Sequence, residues 1–144
     1  MTKKFQLVIP AAGPNFEFDK MGNHKLLLNV YNKKLIQWVQ LSRPYDLSKG
    51  IFIFNKLHEK KYNLVKNISK ALGKKIKFKL LNKYTEGAPQ TVQSIKDLIL
   101  KDEPIFIDLL DQYLDLKDFY NFCLNENLDG CVPIFQSLYY NRGY

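Results

Sequence analysis

The stretch Leu7-Val8-Ile9-Pro10-Ala11-Ala12-Gly13-Pro14-Asn15-Phe16-Glu17-Phe18 decides the fold class of this chain. A short apolar run ends at small residues, the pattern of a strand that opens into a ligand-binding loop at its carboxyl end. The loop is chemically odd. It holds a proline, a phenylalanine and a glutamate where a phosphate-binding loop offers backbone N–H groups and positive charge.

Working outward, strand and helix patterns alternate. Phe5 to Pro10 reads as the first strand. Leu35, Ile36, Val39 and Ser42 fall on one side of a helix, with Trp38 nearby. Ile51-Phe52-Ile53-Phe54, preceded by Gly50, reads as a strand buried on both faces. Leu64, Val65, Ile68, Ala71 and Leu72 recur at helical spacing, and Gly73 supplies the stop. Lys75 to Leu81 predicts another strand. Pro89 suits the first turn of a helix whose apolar stripe is Val92, Ile95 and Ile99. Pro104 to Ile107 and Cys131 to Phe135 read as further strands. The alternation predicts an α/β fold, a three-layer α/β/α sandwich on a mainly parallel, Rossmann-like sheet. Ligands on such sheets sit at the carboxyl ends of the strands. Three segments are therefore expected to converge: the one after Pro10, the one from Asn82 to Ala88, and the one after Ile107.

The 144 residues are expected to form a single domain, residues 1–144, without internal repeat or linker. No apolar run approaches the ~20 residues of a membrane span, and the N-terminus lacks a signal-peptide pattern, so a cytoplasmic protein with no membrane partner is expected. Cys123 and Cys131 read as two buried free thiols. The net charge of +8 does not argue for nucleic acid. Arg43 and Arg142 are the two arginines, the lysines are dispersed, and nucleic-acid sites favour the bidentate arginine fork. The densest basic stretch, Lys74 to Lys79, alternates as a solvated strand face does.

The blocks "IPAAG", "HKLLLNV", "TEGAPQTV" and "DEPIFIDLLDQYLD" occur in an order that resembles the N-terminal half of the sugar-phosphate nucleotidyltransferases. The resemblance is nearest to the branch associated with capsule and surface polysaccharide, and covers roughly residues 5–135. It implies a truncated nucleotide-diphospho-sugar transferase fold lacking the C-terminal half that supplies the acceptor pocket and a second metal aspartate. It implies transfer of a nucleotide from a nucleoside triphosphate, a pyrimidine one slightly favoured, to a sugar 1-phosphate or similar phosphate monoester. Pyrophosphate is released and Mg²⁺ is the cofactor.

Residue by residue, the resemblance assigns Ala11, Ala12, Gly13 and Asn15 to the loop around the phosphates. Lys25, within His24-Lys25-Leu26-Leu27, takes the phosphate-contacting place; from the residues alone it is one surface lysine among many. His24 reads as a loop residue, not a general base. Glu86, Gly87, Ala88 and Gln90 fall where the family recognises the base, although a plain helix-entry turn accounts for them as well. Asp111 matches the metal aspartate, and Lys25 and Asp111 are the expected catalytic residues.

The pattern is broken at Glu17, where the family has arginine, and at Leu109 and Leu110, where small polar residues are usual. A carboxylate near a triphosphate repels it by on the order of 1 kcal/mol. These departures keep a second reading open: a non-catalytic nucleotide-binding relative, or a subunit that needs a partner chain or a second copy. A nucleotide-sugar glycosyltransferase ranks third, because Asp111-Gln112-Tyr113 does not fit an Asp-x-Asp metal motif.

Overall fold

The computed structural model describes residues 5–126 and 128–134. Four parallel strands form the sheet: β1 (Gln6–Ala11), β4 (Ile51–Asn55), β5 (Lys77–Leu81) and β6 (Ile105–Ile107). Their spatial order is β5-β4-β1-β6, with Val8 opposite Ile51 and Ile107, and Phe52 opposite Phe78. A two-stranded antiparallel hairpin, β2 (Asn29–Val30) with β3 (Lys33–Lys34), stands apart and was not evident from the sequence.

Alternation along β1 divides the core. Ile9 and Ala11 face one side and pack with Phe52, Phe54, Ile36, Val39, Leu64 and Ile68. The last four belong to α2 (Leu35–Leu41) and α4 (Leu64–Leu72). Val8 and Ile53 face the other side and pack with Val92 and Ile95, beneath α5 (Ala88–Gln93). Helices on both faces make three layers, as the α/β alternation predicts. Gly50 is required where β4 begins. A Cβ there would lie 2.9 Å from side-chain atoms of both Ile9 and Leu7, inside van der Waals contact.

Local signals account for the helix ends. The Asn55 carboxamide oxygen accepts the Leu57 N–H at 2.8 Å and caps α3 (Lys56–Tyr62). Asn63 turns the chain in the left-handed region (φ 48°) and α4 follows directly. Gly73 ends α4 with φ 69°. The N-terminal α1 (Phe16–Asp19) is a single turn, and α6 (Lys117–Asn125) packs Phe119 and Tyr120 against Phe106.

Three expectations change. Strand β5 starts at Lys77, not Lys75. Residues 131–134 carry no regular structure, and Phe135 lies outside the described residues. The cysteines are not both buried: Cys123, on α6, is half-buried, and Cys131, in the irregular segment that follows, is exposed. Among the described residues no helix is long and apolar enough to cross a membrane.

His24 and His58 are buried side by side, ring centroids 5.5 Å apart. Burial lowers both, His24 to about 4. Both are neutral in the fold, whereas the unfolded chain takes up protons near pH 6.5. Their contribution is therefore complete above about pH 7 and is lost as pH falls from about 6.5 toward 4. Urea unfolding between pH 8 and pH 5 is expected to show stability dropping by up to about 1.4 kcal/mol per pH unit per histidine. His24→Asn, which retains a capping acceptor, flattens that slope; an unchanged slope contradicts the assignment.

Candidate active site

The three expected segments meet at the carboxyl ends of β1, β5 and β6 around an open cleft of about 190 Å³. Ala11, Gly13, Asn15, Lys25, Glu86, Gly87, Ala88 and Asp111 all line it. Two expected site residues do not. The Ala12 side chain is buried in the second core, so only its backbone is near the loop. Gln90 lies behind the wall, its side-chain oxygen accepting the Glu86 N–H at 2.7 Å and holding the turn.

Asn15 shows how the first loop is built. It is buried, and its carboxamide donates to Asn23 O at 2.9 Å and to Asp19 Oδ1 at 3.2 Å. Its oxygen accepts the Lys25 N–H at 3.2 Å, so the side chain staples the loop to the segment that carries Lys25. Asp19 also accepts the Tyr62 hydroxyl and the Lys61 ammonium. The Tyr62 hydroxyl, then Asn15, holds that carboxyl at about 2.

The Lys25–Leu27 3-10 turn buries Leu26 and Leu27, which leaves the Lys25 side chain directed at the cleft. Its Nζ lies 3.6 Å from Asp111 Oδ2, a loose pair with both side chains partly exposed. His24 lines the cleft too, but burial keeps it neutral at pH 7, so it brings no charge to an anion. Glu17 is exposed on α1 and is not among the lining residues, so the repulsion expected from it is not built into the wall.

On the second wall, Thr85 and Thr91 share a hydroxyl hydrogen bond at 2.5 Å, and Thr91 Oγ1 donates to Gly87 O. Gly87 is extended (φ 172°), a conformation any residue adopts, and a Cβ there meets nothing closer than Pro89 at 3.7 Å. Nothing lies within 4 Å of a Cβ built at Gly13. The fold itself requires glycine at neither position.

The third wall depends on a cluster that sequence reading missed. Arg43 Nε and Nη2 donate to Asp108 Oδ2 and Oδ1 at 2.7 and 3.0 Å, with side chains 2% and 4% exposed. Arg43 also donates to Leu114 O and Gln112 O, and the Tyr45 hydroxyl donates to Asp108 at 2.8 Å. Burial disfavours the guanidinium's charge, yet Asp108 outweighs it and raises Arg43 above its ordinary value. Burial, then Asp108, pushes the Tyr45 phenol well up. Asp108 further accepts the Leu110 N–H and helps hold that leucine left-handed (φ 55°) with its side chain in the core. Leu109 instead lines the cleft. The two leucines thus have different roles, and Asp111 is left facing the cleft on a loop anchored at both sides.

No family model matches the chain, and no curated protein matches it. Among solved structures it is similar to UDP-glucose pyrophosphorylase, in a crystal structure complexed with UDP-glucose, at 21% identity and a TM-score of 0.49. That match covers 85% of this chain and 53% of the other, so the chain spans about half the length of that protein.

Arg43→Met leaves Asp108 buried without its cation, a loss of about 3–5 kcal/mol. Arg43→Met with Asp108→Leu removes both charges and is expected to recover most of that loss. Urea midpoints of the three proteins measure the difference; equal losses in single and double variants contradict a coupled pair.

Proposed function

We propose that the cleft binds a nucleoside triphosphate and that the chain is a nucleotidyltransferase for a phosphorylated small molecule. One observation carries this reading. Eight residues from loops far apart in sequence, each expected at a nucleotide site, line the same cleft. The glycines support it: with no fold requirement at Gly13 or Gly87, their bare backbones leave room for close approach of a ligand.

Lys25 would contact the phosphates and offset their charge. Among the described residues no three carboxylate, histidine or cysteine side chains are grouped to hold a metal. Asp108 is held by Arg43, which leaves Asp111, loosely paired with Lys25, as the cleft-facing carboxylate of that loop, with Glu86 across the cleft. This donor set fits Mg²⁺ carried in on phosphates, since Mg²⁺ commonly takes one or two protein carboxylates and substrate oxygens for the rest. Asp111 would hold it, and when bound it supplies charge neutralisation at the phosphates.

In the reaction, an oxygen of the acceptor phosphate attacks the α-phosphorus in line. The bond to the bridging oxygen breaks and pyrophosphate leaves with that oxygen. The chain supplies orientation and charge; no covalent nucleophile is needed. The acceptor is proposed to be a sugar 1-phosphate or similar monoester, in surface polysaccharide synthesis. A second reading, binding without turnover, is favoured by Leu109, whose apolar side chain lines the cleft close to Asp111 in sequence.

Calorimetric titration with CTP, UTP, dTTP, ATP and GTP, each with Mg²⁺, is expected to show saturable binding of one nucleotide. Lys25→Ala and Asp111→Ala each weaken it by about tenfold, roughly one charge-assisted contact. Without Mg²⁺ only Lys25→Ala weakens binding, because Asp111 then repels the phosphates and its removal does not hurt. Pyrophosphate release with a sugar-phosphate panel separates transfer from binding alone. No binding at millimolar nucleotide overturns the proposal.

A further inference from the structure

The two walls of the cleft are joined at one end by an aromatic contact. Phe16 follows Asn15 on the first wall and Tyr84 precedes Thr85 on the second; their ring centroids lie 6.4 Å apart, tilted by 54°. Both are exposed, Phe16 at 66% and Tyr84 at 41%. Tyr84 is nonetheless fixed, because its hydroxyl and His58 Nε2 are 3.2 Å apart and the two rings touch at 5.4 Å. A large apolar surface held open to water at the mouth of a cleft is a feature of ligand sites.

The sheet order gives this end its direction. His58, which holds Tyr84, lies on α3 after β4, while Asp111 follows β6. β1 stands between them, so Tyr84, after β5, and Asp111, after β6, lie on opposite sides of the first loop. The cleft, at about 190 Å³, falls below the 300 Å³ or more of sites that enclose a whole small-molecule ligand. A nucleotide with its phosphates at the charged pair therefore extends past the cleft onto its rim.

We infer that Phe16 and Tyr84 form a shelf on which the flat ring of the nucleotide's base stacks. The inference rests on the nucleotide reading given above and adds to it a specificity-determining surface. Ring stacking requires only an aromatic face; the two rings are tilted by 54°, so one takes the base on its face while the other holds it in place. It also gives a purpose to Phe16, whose exposed ring contributes little to the core. The shelf tolerates any base, so discrimination among bases falls to the polar groups of the second wall.

The test compares two probes on the intact chain, UTP with Mg²⁺ and inorganic triphosphate with Mg²⁺. Phe16→Ala and Tyr84→Ala are expected to weaken UTP by roughly tenfold, about 1.4 kcal/mol, and to leave triphosphate affinity unchanged. Phe16→Tyr keeps a ring and is expected to bind UTP like the parent chain. Equal weakening of UTP and triphosphate overturns the shelf, because it reports a disturbed loop. Unchanged UTP affinity in both alanine variants overturns it while leaving the nucleotide site standing. A parent chain that binds neither probe overturns both.

Discussion

The bidentate contact between Arg43 and Asp108 is the constraint on which the rest of this site depends. It joins positions 65 residues apart, the end of α2 and the end of β6, in surroundings almost closed to water. Two charges in such a place gain little net stability over apolar side chains of the same size, because desolvation offsets most of their attraction. What they impose is geometry. The planar guanidinium satisfies both carboxylate oxygens and then reaches the carbonyls of Gln112 and Leu114, so the chain beyond β6 has one path. That path sends Leu110 into the core and leaves Asp111 facing the cleft.

The sheet completes the arrangement. With β1 between β4 and β6, the loop after β1 lies centrally and the segments on either side converge on it. Asn15 ties that loop to Lys25 through a buried carboxamide, and Gln90 braces the opposite turn. Each group facing the cleft is thus positioned by a residue behind it. The separation of roles is clearest among the carboxylates: Asp19 and Asp108 are engaged in structure, while Glu86 and Asp111 line the cleft.

The sequence disclosed those parts that depend on local chemistry. The strand β1 is legible because an apolar run meets Ala-Ala-Gly, and α4 because its stripe ends at Gly73. The convergence of three loops followed from α/β alternation alone. What stayed hidden depends on distance or on a turn of backbone. Arg43 figured in the sequence only as one of two arginines, since nothing near it in sequence indicates a partner so far along the chain. Glu17 looked like an obstacle because its type was read without its direction; one helical turn carries it out of the lining. Cys131 to Phe135 read as a strand, yet residues 131–134 have no neighbour in the sheet, and Phe135 lies outside the described residues. The helix α6 was not assigned from the sequence, although Leu116, Phe119, Tyr120, Cys123 and Leu124 recur at helical spacing and are its more buried positions, packed through aromatic contacts to Phe106 and Tyr45.

The central claim is that the three loops form one nucleotide site. Amide chemical-shift mapping of the chain during titration with UTP and Mg²⁺ tests it most directly. The account predicts that the largest shifts cluster at Gly13, Asn15, Lys25, Gly87 and Asp111, on three separate segments that respond with one common affinity. Shifts confined to one segment, or centred on α6 and the end of α2 away from the cleft, would contradict it.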